Sequence, residues 1–541
     1  MNARNFWSAQ VSRRHRLAMR VAGLGVSLWV GATGAWAQDD TTGPAAAAAA
    51  AAAAGQTTPP AARSVVAPAP RLRSVSLGRS EYFAPATLEA AVRPFVGQVL
   101  DNRTLGAVLD ALGALYDAEG IVLATPVIEA VTPATGDVRI GFIEARLGRV
   151  RARSETVSDA YLAYRLNLTP GAVADNRVIA ERLERLTLTD NMLLDADFAA
   201  GAAPGETDLV VSAETGPRVS TVVSLDSYGS RGSGRYRLGA NTRIASLTGF
   251  NDPLNLGVTL REGAQSFSLS YARVIHPDGT RLTLSTEAGR TRNVQGTDLR
   301  GRTFFAGVGV SHPLVVAPDR SLSANALVQH FREESTLVGV RTMDQRGWVL
   351  SVGASGSRSG KTWALSGGAD LLGGRYSDRV SDAQQSFAAL TFNAVLNGDL
   401  PGRTLSGSLS MAGQLALREA MPAPYGFTIT SAFAVRGYPS GALSGDSGLW
   451  LRAQVEAREP LRARGGQFGV VPFAFFDAGM AASRVGGRHV SQGRAASVGL
   501  GVSASFGTAT TAELFVARPL RDLPGQARSR LWVEAGMRHR F

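Results

Sequence analysis

The sequence predicts an all-β transmembrane barrel of about sixteen antiparallel strands, preceded by two small α+β domains. Three observations predict it. From Arg218 to the end, apolar and polar residues alternate in segments of roughly ten residues, the length a tilted membrane strand requires. Mean hydropathy is only +0.01 although 45% of residues are apolar. A helical membrane protein would be far more hydrophobic, whereas a barrel averages lipid-facing and lumen-facing residues. The chain also has 61 glycines and no cysteine, which suits strands, turns and an envelope compartment without disulfides or thiolate metal sites.

Residues 1–37 read as a secretory leader. A basic start precedes the apolar run Val21–Val30, and Ala35-Trp36-Ala37 supplies a small-x-small cleavage site. The run is shorter than the ~20 residues a membrane helix requires. Residues 38–70 form a low-complexity Ala/Pro linker, extended through its prolines and with an alanine run able to form a short helix. The formal charge of +12 is inflated by Arg4, Arg13, Arg14, Arg16 and Arg20 of the leader. The other arginines are spread through alternating strands without clustered aromatics, which argues against a nucleic-acid partner.

Residues 71–147 predict a β-α-α-β-β domain. Leu105, Val108, Leu109, Leu112 and Leu115 recur at helical spacing as a buried stripe, and Gly120 stops that helix. Residues 148–217 repeat the plan, with strands near 193–198 and 208–213. Residues 218–541 hold the barrel. The candidate strands are 219–226, 235–245, 254–262, 265–274, 280–290, 302–311, 321–331, 346–357, 361–373, 384–397, 403–418, 447–459, 467–478, 495–506, 509–518 and 529–541. Closure is required, because in lipid an open edge would leave a row of backbone groups unpaired.

Two strings stand apart from this alternation. Val435-Arg436-Gly437-Tyr438 lies in the longest gap between strands, about 419–446. Phe475-Phe476-Asp477-Ala478-Gly479 places a lone acid in an apolar strand, on the same face as Phe473 and Phe475, which we assign to the lumen. The guanidinium cannot lose its charge and offers five donors in a rigid fork. In a hydrated lumen, such a pair is expected to contribute between the ~0–1 kcal/mol of an exposed bridge and the ~3–5 kcal/mol lost on breaking a buried one.

These strings, with Tyr116-Asp117-Ala118-Glu119-Gly120, Phe142-Ile143-Glu144-Ala145-Arg146-Leu147-Gly148 and the terminal Phe541, resemble the outer-membrane transporters of two-partner secretion, the ShlB/FhaC/HecB (TpsB) family. Glu144-Ala145-Arg146 departs mildly from the family's more usual Glu-Gly-Arg. Asp226-Ser227-Tyr228-Gly229 resembles an Asp-Asn-x-Gly segment of the family, with Ser227 in place of Asn, and reads as a structural turn. The resemblance implies two periplasmic POTRA domains and a pore in the bacterial outer membrane. It implies a loop folded into the barrel, with Val435, Arg436, Gly437 and Tyr438 at its tip and an Arg436–Asp477 bridge to a wall motif of Phe475, Asp477 and Gly479. Phe541 is implied as the signal read by the barrel-assembly machinery. The implied partners are a secreted TpsA-like haemolysin or adhesin and outer-membrane lipid. A helix within residues 38–70 that plugs the pore is a further possibility. An assembly factor of the same superfamily is the alternative function.

No catalytic constellation is present in the sequence. His276, His312 and His330 lack metal-ligand spacing, and Gly307-Val308-Gly309 lacks the βαβ unit of a nucleotide fingerprint. No enzyme activity, metal or cofactor is expected.

Overall fold

A computed structural model describes residues 69–541, except 191, 215, 403, 419–420, 463–466, 486–487 and 524–530. The expected leader and nearly all of the linker, including any plug helix, lie outside the described residues.

Two α+β units come first. In the first, strands β1 (Ser74–Leu77), β2 (Ala124–Thr132) and β3 (Asp137–Glu144) form a sheet in the order β1-β3-β2. Helices Pro85–Val92 and Asn102–Ala118 cover one face. The longer helix begins where the Asp101 side chain accepts the Thr104 N–H. Of the expected stripe, Val108 and Leu112 are buried, while Leu105, Leu109 and Leu115 pack at its margin. The second unit repeats the arrangement, with β4 (Arg146–Arg153), β5 (Leu193–Ala200) and β6 (Glu206–Glu214) in the order β4-β6-β5. Its helices are Asp159–Leu166 and Asn176–Asp190. Among the described residues β2 of the first sheet and β5 of the second each leave an edge without a strand partner, while the outer edge of β4 is bridged from Arg146 to Val173.

The barrel contains β7 (Val219–Asp226), β8 (Arg237–Ile244), β9 (Leu254–Arg261), β10 (Ala264–Val274), β11 (Arg281–Arg292), β12 (Leu299–Ala317), β13 (Arg320–Leu337), β14 (Val340–Ser359), β15 (Trp363–Asp378), β16 (Ala383–Asp399) and β17 (Leu405–Ala416). A long loop follows and holds the two-residue ribbon β18 (Phe427–Thr428) and β19 (Ser444–Gly445). The barrel resumes with β20 (Ser447–Ala457) and its short continuation β21 (Leu461–Arg462), then β22 (Phe468–Val485), β23 (Arg488–Phe506), β24 (Thr510–Pro519) and β25 (Trp532–Arg540). Since β20 and β21 share one partner, β22, the cylinder has sixteen antiparallel staves. Every stave falls on an expected strand, and β12–β14 run well past the expected ends. No described helix is long and apolar enough to cross a membrane. The strands do the crossing.

Closure pairs β25 with β7, from Gly536 opposite Asp226 to Arg540 opposite Val222. Phe541 extends this seam by donating its N–H to the Thr221 carbonyl at 2.8 Å, while its ring stays 71% exposed. Alternation holds across the wall. Phe476, Met480, Val533 and Met537 are exposed on the outside, whereas Phe473, Phe475, Asp477 and Glu534 are buried on the inside.

The second α+β unit docks on one rim, here the near rim. Phe250, from the 245–253 turn, packs edge-on to Tyr161 at 5.8 Å and joins that unit's core. Asp252 holds the turn, accepting from the Ser246 and Thr248 hydroxyls, the Thr248 and Phe250 N–H groups, and the Tyr271 hydroxyl. Beside it, Arg165 donates to the Pro277 carbonyl and pairs with buried Asp190 at 3.1 Å, which Arg281 of β11 approaches at 3.5 Å. The opposite, far rim carries the turns at 262–263 and 338–339 and the loop after β17.

Candidate functional site

The segment between β17 and β20 turns into the barrel and fastens to two sides of the wall. The first anchor is Tyr425, a residue without a sequence signal beyond its type. Its ring lies among Phe305, Phe331 and Phe387 of β12, β13 and β16, and its hydroxyl meets Gln329 Oε1 at 2.7 Å. Gln414 Nε2, at the end of β17, donates to the carbonyls of Tyr425 at 2.7 Å and Asp446 at 2.9 Å, tying both ends of the loop together.

The second anchor is the Val-Arg-Gly-Tyr string, on the wall made by β22, β23 and β24. Arg436 Nε donates to Asp477 Oδ2 at 2.7 Å and Nη2 to Oδ1 at 2.9 Å, a bidentate fork. The Arg436 backbone N–H adds a third bond to Oδ2 at 3.1 Å, and Nη1 reaches Gln454 Oε1 at 3.0 Å. The guanidinium carbon stands 3.5 Å from the centre of the Phe475 ring and 5.6 Å from that of Phe515. The expectation of a half-hydrated pair is corrected: Arg436 is 1% exposed and Asp477 0%. Aromatic rings and the loop's own backbone exclude water there. The pair therefore belongs to the regime in which losing one partner strands a buried charge.

Glycines make this closeness possible. Gly437 has φ +88°, and a β-carbon on it would stand 2.9 Å from Ala517 Cβ. At Gly479 a β-carbon would stand 2.7 Å from Ile429 Cγ2 of the loop. Gly499 and Gly501 of β23 leave the space that the Phe475 and Phe473 rings fill. Val435 is fully buried with Ile429, Leu443, Ala481 and Ala495. The Tyr438 hydroxyl lies 2.8 Å from the Ala496 carbonyl and 2.9 Å from that of Arg521, and accepts the N–H groups of both residues at 3.3 Å. The structure thus brings Val435, Arg436, Gly437, Tyr438, Phe475, Asp477 and Gly479 into one cluster, with Phe541 apart at the closing seam near the opposite end of the barrel.

Sequence reasoning missed several members. Arg452 of β20 lies opposite Asp477 in the strand register and reaches it at 3.9 Å, so two cations share one carboxylate. Its position on the inward face of β20, with Gln454 two residues on, was the available signal. The Asp226–Gly229 segment is more than a turn. Asp226 holds Arg237 through both oxygens at 2.6 and 2.9 Å, and Ser227 Oγ bonds the Ala535 backbone across the seam. Tyr228 packs on Phe433 of the loop at 5.7 Å and on Phe515 at 6.3 Å. The described residues contain no cluster able to hold a metal ion.

The model of the haemolysin secretion/activation protein family ShlB/FhaC/HecB matches residues 205–504. Among curated proteins, the chain is similar to the heme/hemopexin transporter protein HuxB of Haemophilus influenzae strain 86-028NP, 24% identical over 383 residues, which is 66% of this chain and 67% of that protein. Among solved structures it is similar to CdiB from Escherichia coli, with 18% identity, a TM-score of 0.60, and coverage of 90% of this chain and 93% of that one. CdiB from Acinetobacter baumannii follows, with 16% identity, a TM-score of 0.59, and coverage of 88% and 90%. A match over more than half of the chain, on a closed barrel with an inward loop, shows that this protein belongs to the ShlB/FhaC/HecB family of outer-membrane secretion pores, a transporter family and not an enzyme class.

Proposed function

We propose that this chain exports one large exoprotein, received unfolded by its α+β units on the periplasmic side and passed outward through the barrel, and that the inward loop is the element that must yield. The observation that carries the reading is the buried Arg436–Asp477 fork, which fastens the loop across the lumen. With Tyr425 held on one side and Arg436 on the other, an extended polypeptide meets the loop on its way through. The two α+β units act as POTRA domains, and the free edges of β2 and β5 offer backbone groups to an extended cargo segment. Pairing of that kind tolerates varied cargo sequence. No nucleotide is available on the periplasmic side, so folding of the cargo outside supplies the drive.

The cargo is of the haemolysin or adhesin class; a heme- or hemopexin-related cargo, which the name of the HuxB relative suggests, is one case of it. The two α+β units among the described residues favour secretion over the assembly-factor alternative, whose members typically carry more. Phe541, exposed at the end of the last strand, is the residue that the barrel-assembly machinery reads.

The test compares export and assembly in one strain. Arg436→Ala is expected to reduce cargo in the medium severely while the folded barrel still reaches the outer membrane, read as a heat-modifiable band. Export at the wild-type rate from that variant would falsify the role given to the loop.

A further inference from the structure

Outside the barrel, near the far rim, one sector of the wall is unlike the rest. On the lipid-facing side of β11–β14, apolar rows such as Leu284, Val308, Val328 and Leu350 give way to His330 and Trp348, whose rings meet at 5.0 Å. An aromatic pair at this height marks the interface between hydrocarbon and headgroups. Immediately beyond it the same outward face becomes cationic. Arg290 lies directly opposite Arg302, Arg292 opposite Arg300, and Arg332 opposite Arg346.

Like charges placed opposite one another destabilise a sheet. Local acids relieve part of this. Arg300 pairs with Asp298 at 2.8 Å, and Arg332 with Glu334 and with Asp344. Arg290, Arg302 and Arg346 have no acid at ion-pair distance among the described residues. A groove of about 440 Å³ opens on the same face. Val258, Phe267 and Phe304 form its apolar side and Arg290, Arg302 and Arg332 its cationic side, while Glu334, opposite Arg302 in the register and paired with Arg332, also lines it. The occupant that fits such a groove carries an acyl chain and an anionic head at the same depth as a leaflet boundary. A guanidinium fork matches phosphate through two parallel bonds.

We propose that this groove binds a phosphorylated glycolipid of the outer leaflet, with a phosphate held by Arg290 and Arg302, flanked by Arg332, and an acyl chain along Val258, Phe267 and Phe304. The lipid neutralises the facing arginines and fixes β9–β13 in the membrane, on the outer side of the wall whose inner side carries the Tyr425 anchor and away from the wall that holds Arg436. The assignment to the outer leaflet rests on the orientation proposed above, with the α+β units in the periplasm. The binding measurement itself does not depend on export, so failure of one leaves the other standing.

The test uses the purified full chain in a non-ionic detergent and native mass spectrometry. It is titrated with bis-phosphorylated lipid A, the same lipid enzymatically stripped of phosphate, phosphatidylglycerol, and inorganic phosphate. Lipid A is expected to bind at least roughly tenfold tighter than each of the other three, and Arg290→Gln/Arg302→Gln to abolish that preference. Arg290→Lys/Arg302→Lys keeps the charge, guards against misfolding, and is expected to lose several-fold because an ammonium lacks the fork. Equal binding of the stripped lipid, saturation by inorganic phosphate at the same concentration, no preference over phosphatidylglycerol, or an unchanged Gln variant overturns the proposal.

Discussion

Asp477 is shared by two arginines, and that asymmetry decides how single substitutions behave. Replacing Arg436 by Ala leaves the carboxylate with Arg452, already 3.9 Å away and able to close in. Replacing Asp477 by Ala leaves the buried Arg436 beside the half-buried Arg452 without the carboxylate that both approach. Asp477→Ala is therefore expected to destabilise the barrel interior more than Arg436→Ala, toward the ~3–5 kcal/mol cost of an orphaned buried charge. Thermal unfolding of the two variants in detergent checks the order; equal melting points would refute the shared-carboxylate account. Arg436 and Asp477 were legible in the sequence because each is a charge where its surroundings are apolar or Gly-rich. Arg452 was not, since an arginine on an inward strand face looks like any lumen-lining residue until the register sets it opposite the acid.

At the scale of the loop, glycine positions separate strain from crowding. Gly437 and Gly441 both have positive φ, +88° and +79°, so alanine pays a left-handed backbone penalty at either position. Only at Gly437 would the new methyl meet the wall, at Ala517 Cβ, whereas around Gly441 there is open space. Gly441→Ala is expected to cost about 1 kcal/mol and leave export near wild type. Gly437→Ala is expected to lift the loop tip from β23 and β24 and impair export. Export assays on the two variants, with protease accessibility of the loop as the second readout, check this; a Gly441→Ala defect equal to that of Gly437→Ala would count against it. The loop was visible in the sequence as the longest gap between strands. Its second anchor was not, because Tyr425 acts through Phe305, Phe331 and Phe387, which lie roughly forty to one hundred and twenty positions away and converge only when the sheet closes.

At the scale of the whole molecule, the near-rim turn at 245–253 sets how the second α+β unit sits on the barrel. Burial pushes the Asp252 carboxyl up, but the Thr248 N–H and hydroxyl, the Tyr271 hydroxyl and the Phe250 N–H outweigh it and hold the group below its ordinary value. A carboxylate depressed in the folded state contributes stability above its unfolded value of about 3.9, and that contribution disappears as the pH falls through the folded value. The junction is therefore expected to be fully held at neutral pH and to loosen only under strong acid. Asp252→Asn is expected to loosen it at pH 7 and to remove most of the acid dependence. Spin-label distances between the second unit and the barrel rim check this, and the absence of native cysteine makes two introduced labels unambiguous. A narrow, unchanged distance in Asp252→Asn at pH 7 contradicts the turn's role.

Period-two alternation, near-zero mean hydropathy and glycine content determined by themselves that the second half of this chain closes into a barrel, because each strand carries its own lipid-facing and lumen-facing pattern. The alternation also placed the sixteen staves, and the resemblance of the two strings to a known family implied that they meet. Tertiary structure alone decided how dry that meeting is, which second cation joins it, and that the loop is held from both sides of the lumen. The physical reason is that burial depends on what distant strands bring against a residue, and distance along the chain says nothing about a neighbour supplied by the closing of the sheet.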